Sequence, residues 1–422
     1  MSASEVPYVS PYSFDSPEAA AAAGVLSSGE PAPANAAKFG EVFIAGSVAH
    51  SLTGRKDPPS AGGDGVPETN LYNFQHFRQL SGKRISRVVT SSVACHYIAI
   101  DVDGGAYIWG RNERGQLGQG DLSNRYRPVK INVGSPIVDA AAGKSHTLLV
   151  TAAGDVWACG DNKLGQLGLG KEASYQEGTI KKFTKVNLGE KQATACAAGA
   201  EFSVILAGGV VLSCGSPQYG QCGSGSTGEY IIQAGRIGYK EITSFRELVG
   251  PIASIKCSAI AAGACHGVAL SVDGVPYSWG CGAYGRLGTG KPADEVVAKP
   301  IEFFLPERLR IGSIVCGATA TFALTRAGTR PLVYYFGITR KTGEATMKPT
   351  YIQDITSMSV RAIAIGPTST LLAADNSIVG WGPSPTSGEL GFGSETKSST
   401  KPKLVDDLEG AFAINVRPYN MS

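Results

Sequence analysis

The sequence predicts an all-β fold, a seven-bladed β-propeller of antiparallel sheets, and three observations carry that reading. A strand-and-loop motif returns at intervals of about 45 to 65 residues along the chain. The 55 glycines among 422 residues are nearly twice ordinary usage, which calls for many tight turns. Short apolar strands run into acidic or glycine turns, as Ile98, Ile100 and Val102 do before Asp103-Gly104, and such pairs read as β-hairpins.

Taken in order, residues 1–39 come first, an acidic segment rich in Ala, Pro and Ser that carries Glu5, Asp15, Glu18 and Glu30. It has too little apolar surface to offset its ordering entropy and is expected to be a disordered tail. The propeller is expected over 40–422. Its first unit is the weak copy Val42–Gly46. Full copies follow at Tyr107–Gly120 (YIWGRNERGQLGQG), Val156–Gly170, Leu212–Gly225 and Tyr277–Gly290. A second weak copy lies at Tyr334–Gly337, and the last, Val379–Gly393, has one additional loop residue. A small antiparallel sheet has two faces to cover and two edges to protect, and radial stacking solves both problems. A β-solenoid has shorter repeats and parallel strands.

The first unit lacks the glycine-and-histidine strand that precedes the others, and after Leu408-Glu409-Gly410 the chain reads AFAINVRPYNMS with no Gly-x-x-His segment to supply it. An incompletely closed first blade is expected, or one closed by a partner or by the N-terminal tail, because an unpaired strand edge invites aggregation.

A strand ending in Trp-Gly or Cys-Gly, four loop residues, then Gly115-Gln116-Leu117-Gly118 or Gly165-Gln166-Leu167-Gly168 resembles the regulator-of-chromosome-condensation repeat family. The Gly-x-x-His elements Gly143–His146 and Gly263–His266 belong to the same resemblance, which covers about residues 40 to 410. Three segments, Leu52–Pro59, Cys196–Leu206 and Ala374–Gly393, point to one subgroup within it. The resemblance implies an intracellular protein-binding regulator or adaptor that acts on a small GTPase and on chromosome or cytoskeletal structures, resident in cytoplasm, nucleus or both. It implies no catalytic side chains and no enzyme. Subgroup members tend to carry a basic tail, whereas this one is acidic.

The chemistry-bearing residues support a binding role. No nucleophile, base and orienter assemble from the sequence, and no small-molecule substrate or cofactor is indicated. Nine cysteines without a C-x-x-C pair read as buried free thiols, with no metal site. His96, His146 and His266 fall in one repeated slot, so a propeller separates them; their nitrogens are expected to satisfy backbone groups. Trp109, Trp157, Trp279 and Trp381 read as packing residues between blades. The Gly115 and Gly165 loops are followed by neither Gly-Lys-Ser/Thr nor an amphipathic helix, which argues against nucleotide binding. No apolar run is long enough for a membrane span.

The interval from about Ser224 to Lys256 exceeds what a blade needs. An insertion rising from a rigid scaffold is where function concentrates, and Arg236, Tyr239, Lys240, Glu241 and Arg246 mix charge with an aromatic as partner-binding surfaces do. In the founding family member a β-wedge from the propeller acts in nucleotide exchange, and the resemblance makes this insertion a counterpart in kind. Basic clusters at Lys83, Arg84 and Arg87, at Arg308 and Arg310, and at Lys397, Lys401 and Lys403 are candidates for contact with chromatin, microtubules or phospholipid. A net charge of +3 is too small to imply nucleic acid by itself. The alternative is a structural scaffold subunit of a cytoskeletal or organellar assembly.

Overall fold

The computed structural model describes residues 39–47, 70–171, 178–326, 331–338, 344–366, 369–382, 388–396, 398–409 and 413. Two strands, β1 (Phe43–Ser47) and β2 (Asn70–His76), form a two-stranded antiparallel sheet. Six four-stranded antiparallel sheets follow. The first contains β3 (Ile85–Val89), β4 (His96–Asp101), β5 (Ala106–Gly110) and β6 (Arg125–Ile131). The second contains β7 (Ile137–Ala142), β8 (His146–Thr151), β9 (Val156–Asp161) and β10 (Thr179–Lys185). In the third, β11 (Ala193–Ala198), β12 (Phe202–Ala207) and β13 (Val210–Gly215) pair onward to β16 (Ile242–Glu247). Between β13 and β16 stands a separate two-stranded hairpin, β14 (Glu229–Ile231) with β15 (Ile237–Tyr239).

The fourth sheet contains β17 (Cys257–Ala262), β18 (His266–Ser271), β19 (Pro276–Gly280) and β20 (Glu295–Pro300). The fifth runs through β21 (Ile311–Cys316), β22 (Ala320–Thr325), β23 (Val333–Gly337) and β24 (Thr346–Tyr351). The sixth is β25 (Val360–Ile365), β26 (Thr370–Ala374), β27 (Ser377–Gly382) and β28 (Ser399–Leu404).

The expected seven blades are therefore corrected to six four-stranded blades among the described residues. A glycine at or near the strand end, preceded by Trp in three sheets and by Cys or Phe in the others, marks the third strand of each sheet, so the motif copies number third strands and not complete blades. The Val42–Gly46 copy does become a strand, β1, but among the described residues it pairs only with β2. The expectation of a disordered tail falls on residues 1–38, outside the described residues, as does the chain end from 410 apart from Ala413.

Why the motif builds this architecture is visible at Gly118. Its φ is +67°, and a Cβ there would stand 2.5 Å from the ring of Phe183 on β10. The Gly115–Gly120 loop thus lies flat against the next blade's outer strand, where the Gly120 N–H donates to Lys181 O at 2.8 Å. Leu117 and Leu167 are fully buried and plug the gap between neighbouring sheets. Leu117 packs with Ile98, Ile108, Ala140 and Leu149, and Leu167 with Leu148, Ala158 and Ile205. Each such leucine removes about 2 kcal/mol worth of apolar surface from water.

The same contact places β1 and β2 in the ring. The sixth blade's loop sets Gly391 against Phe74 of β2 as Gly118 sits against Phe183. On the other side Val42 and Ile44 pack with Phe77, Leu80, Tyr97 and Trp109 of the first blade, with Phe77 stacked on Trp109 at 5.4 Å between centroids. The two-stranded sheet therefore lies between the sixth and first blades.

Candidate protein-interaction surface

The inner strands β3, β7, β11, β17, β21 and β25 line an axial cavity of about 250 Å³. Arg87 and Asp139 occupy corresponding positions on β3 and β7 and form an ion pair there. Asp139 Oδ2 also accepts the Cys196 N–H at 2.9 Å, which ties the second blade to the third. At the same level the other blades present Ala195, Ala259, Ser313 and Ala362, so the ion pair stands among small side chains, with Arg87 Nε left without a hydrogen-bond partner among the described residues.

The repeated histidines are interblade clasps. His96 Nε2 lies 2.7 Å from Thr147 Oγ1, whose proton is donated to Gln116 O at 2.6 Å. The hydroxyl has a single proton, so His96 must be the Nε2–H tautomer and donate to Thr147. His146 meets Ser203 Oγ at 3.0 Å, and Ser203 donates to Gln166 O at 2.6 Å. His266 meets Thr321 Oγ1 at 2.9 Å, and Thr321 donates to Arg286 O at 2.9 Å. The expectation of direct backbone contact is corrected: a hydroxyl of the next blade relays each histidine to a loop carbonyl. In each ring Nδ1 is left without a hydrogen-bond partner among the described residues.

Burial dominates their protonation. It lowers His96 to about 3, with a further push from His146. It lowers His146 to about 4 against an opposing backbone hydrogen bond with Phe202. It lowers His266 to about 3, aided by Arg286. All three are neutral packing elements at physiological pH and offer no proton shuttle. The Gly-x-x-His spacing follows from contact, because a Cβ on Gly143 or Gly263 would overlap the imidazole of His146 or His266. Where Phe202 replaces histidine, Gly267 replaces the hydroxyl residue, and Trp279 Nε1 donates to the matching carbonyl, Gln221 O, at 2.8 Å.

The cysteines are free, and seven of the nine are buried. Burial pushes the Cys196, Cys257 and Cys316 thiols up to about 12, so they are poor nucleophiles. Among the described residues no group of three His, Cys, Asp or Glu could hold a metal ion, and no helix is long and apolar enough to cross a membrane.

The β14–β15 hairpin is different in kind. Its register pairs Glu229 with Tyr239, Tyr230 with Gly238 and Ile231 with Ile237. The Ile232 N–H donates to Arg236 O at 2.7 Å across the turn, and Lys240 N–H to Gly228 O at 2.9 Å across the base. Ile231 is 82% exposed, Ile237 54%, Tyr230 51% and Ile232 42%. Single exposed apolar residues are ordinary, but here Ile231 and Ile237 share one face of a short hairpin and Tyr230 and Ile232 the other, and such clustering is of the sort that marks contact sites. Glu229 and Glu241 balance Arg236 and Lys240, so this patch carries no net charge.

Of the residues singled out in the sequence, Arg236 is exposed at the hairpin turn and Lys240 is exposed at its base. Tyr239 is half-buried on β15, and Glu241 is half-buried just beyond it. Arg246 is not on the hairpin: it lies on β16, opposite Ser213 of the third blade. Tyr230, Ile231, Ile232 and Ile237 were missed. Their clue was an apolar run with no alternation and no sheet to bury it.

The basic clusters separate in space. Lys83 lies over the Tyr107 ring, Arg84 pairs with Asp103 at 3.8 Å, and Arg87 points into the channel ion pair. Lys403 lies over Phe392. Lys397 and the side chain of Arg308 fall outside the described residues.

Blades that lock through Gly-Gln-Leu-Gly loops and histidine clasps define an RCC1-repeat β-propeller. The model of the regulator of chromosome condensation (RCC1) repeat matches residues 103–150, 153–206 and 273–324. Human Protein RCC2 is 36% identical over 394 residues, spanning 89% of this chain and 74% of that protein, and the Danio rerio RCC2 homolog is 35% identical over the same span of this chain. The chain belongs to the RCC2 family of RCC1-repeat proteins. The fold is shared with human WBSCR16 (TM-score 0.71, 18% identity, covering 86% of this chain and 94% of that one). It is shared also with Saccharomyces cerevisiae Prp20p, described with its binding to Gsp1p and histones (TM-score 0.69, 20% identity, 93% and 89%).

Proposed function

We propose that this protein regulates a small GTPase linked to chromosome or cytoskeletal organisation, and that it does so by surface contact and not by side-chain chemistry. The observation that carries the reading is the hairpin of 228–240, an apolar, charge-balanced projection from a rigid propeller. A partner's nucleotide state shifts only if this surface binds the two states unequally. Ile231 and Ile237 would supply the buried centre of the contact, Arg236, Tyr239 and Lys240 its rim, with Glu241 at the base and Arg246 on the adjoining strand. Membership of the RCC2 family supports a regulatory role, and the binding of Prp20p to Gsp1p supports a GTPase as the partner class. On this reading the unit of function is the propeller of 40–422 with its insertion near 224–256.

The test is replacement of 229–239 by a short Gly-Ser linker, which leaves β16 and the third blade whole. The GTPase recovered with the intact protein from its native cells is loaded with a fluorescent guanine nucleotide, and release is timed with each variant. Ile231→Ser with Ile237→Ser is expected to slow stimulated release at least about tenfold, as loss of interface anchors does. Equal recovery of the GTPase and equal release rates with the linker variant would overturn the assignment.

A scaffold subunit is the second reading. It is favoured by the inner edge of β1, which pairs with no strand among the described residues and is a template for a neighbour's strand. Isolation only as a fixed stoichiometric complex, unchanged by the linker, would favour it.

A further inference from the structure

Two of the nine cysteines meet at one place in the fold. Across β18 and β19, His266 pairs with Gly280 and Gly267 with Trp279. One residue beyond that register the Cys281 N–H donates to Cys265 O at 2.8 Å, so the two cysteines stand opposite each other at the open end of the β18–β19 pair. The same two slots hold Cys95 and Arg111 in the first blade, Ser145 and Asp161 in the second, Glu201 and Ser216 in the third, and Thr319 and Ile338 in the fifth, each joined by the same backbone hydrogen bond. In the first blade the Arg111 guanidinium reaches Cys95 Sγ at 3.9 Å, so side chains in these slots meet. Of these five blades only the fourth has a thiol in both.

Exposure and charge separate this pair from the other thiols. Cys265 and Cys316 are half-buried and the remaining seven are buried. Cys316 lies 3.9 Å from the Thr321 hydroxyl, and the residue opposite it is Thr321 and not a cysteine. Beside Cys265 stands Arg286, 5% exposed, whose Nε donates to Ala283 O at 2.9 Å and whose Nη1 donates to Ala318 O at 3.2 Å. The Tyr284 ring lies 5.6 Å from this guanidinium, and no ion pair is found for it among the described residues. A buried cation without a carboxylate stabilises an anion that forms next to it. Burial, and next Cys281, push the Cys265 thiol up to about 11; Arg286 opposes them, ahead of smaller upward effects from Glu201 and Asp294. After burial, Cys265, Cys281 and Tyr239 are among the groups that push the Tyr219 phenol up, so the pair lies close to the foot of the β14–β15 hairpin.

We propose that Cys265 and Cys281 form a modification site at which hydrogen peroxide makes a disulfide that small thiols reverse. The Cys265 thiolate, beside Arg286, attacks one peroxide oxygen; the O–O bond breaks, and the departing hydroxide takes up the proton lost by the thiol and leaves as water. Cys265 is then a sulfenic acid. The Cys281 sulfur attacks the Cys265 sulfur, its proton passes to the departing hydroxyl, and a second water leaves as the S–S bond forms. Two thiols have then lost two electrons, and one peroxide has become two waters. Directly opposed residues of an antiparallel pair have Cβ atoms about 4.5–5.5 Å apart and a disulfide needs about 3.5–4.5 Å, so closure takes a shift on the order of 1 Å. Cys281, 8% exposed, has to reach Cys265 and not solvent. The site does not depend on what the β14–β15 hairpin binds.

The reduced full chain is exposed to hydrogen peroxide, its remaining thiols are alkylated under denaturing conditions, and the digest is read by mass spectrometry. Trypsin cuts after Lys256 and Arg286, and a protease that cuts before aspartate then parts Cys265 from Cys281 at Asp273. The expected product is peptide 257–272 joined to 273–286, and dithiothreitol should separate the two. Because 257–272 also carries Cys257, the link must vanish in Cys265→Ser. In Cys281→Ser, Cys265 should remain a sulfenic acid that dimedone captures. Formation should quicken by up to about tenfold per pH unit from neutrality toward about pH 9, because the thiolate is the attacking species. Recovery of Cys265 and Cys281 as thiols, no more oxidised than Cys316, would overturn the assignment on the unaltered chain, whatever the variants do. A link that survives in Cys265→Ser would overturn it as well.

Discussion

At the scale of single residues, the three histidine clasps convert a repeat motif into a mechanical linkage. Each joins a blade to the next through one hydroxyl that accepts from the imidazole and donates to a carbonyl. Thr147→Val keeps the shape and removes the relay, leaving the His96 Nε2–H without a partner in a dry interior and the Gln116 carbonyl with only the weak Cys159 thiol donor at 3.3 Å. An unsatisfied buried group costs about 1–3 kcal/mol, so we expect a loss of that order in urea unfolding. A change below about 0.5 kcal/mol would mean that water replaces the hydroxyl. The Gly-x-x-His spacing was legible in the sequence, but its partners were not. Thr147 is 51 residues from His96, and Ser203 is 57 from His146, distances over which local pattern carries no information.

Secondary-structure elements divide into those that build the ring and the one that leaves it. Leu117, Leu167, Leu287 and Leu390 mark equivalent loops and are all fully buried. The hairpin of β14 and β15 contributes nothing comparable: it pairs with no blade strand, and three of its isoleucines and a tyrosine are exposed. Its replacement by a linker across 229–239 is therefore expected to leave the thermal midpoint within about 1 °C, a scanning-calorimetry measurement in which a larger drop would assign the hairpin a structural role. In the sequence the interval from 224 to 256 reads as one insertion. Its second half is instead β16, the outer strand of the third blade, followed by the turn Pro251–Ser254. The strand ITSFRE has half-buried positions at 242, 243 and 245 without clean alternation, because an outer strand has only one flank in the sheet and is packed by the neighbouring loop. That is why its boundary with the hairpin was invisible.

The whole molecule should respond to acid as a ring with several clasps. The unfolded chain protonates its histidines below about pH 6.5, whereas the folded imidazoles stay neutral until about 3 to 4. Between these limits the unfolded state binds more protons, so stability falls as pH falls. Each clasp contributes about 1.4 kcal/mol per pH unit in that window, roughly 4 kcal/mol per unit for the three together. Urea midpoints at pH 7 and pH 5 measure this directly, and His146→Phe should show a shallower dependence. A midpoint that is flat over that range would mean that the folded imidazoles protonate as readily as unfolded ones, as water reaching Nδ1 would allow.

By itself the sequence determined the repeat: an antiparallel sheet whose third strand ends at a glycine, followed by a loop that plugs the next blade, with family membership written in the same motif. Those features depend on residues within one hairpin or one loop, where strand periodicity and turn chemistry act. The tertiary structure alone decided that the described residues form six four-stranded blades and a two-stranded β1–β2 sheet, that each clasp closes on a hydroxyl one blade away, and that the Gln119–Gly120 loop of the first blade bridges to Lys181 and Lys182 of β10. Each of these is a contact between segments some fifty residues apart. It is set by how sheets stack around the axis, which local pattern does not encode.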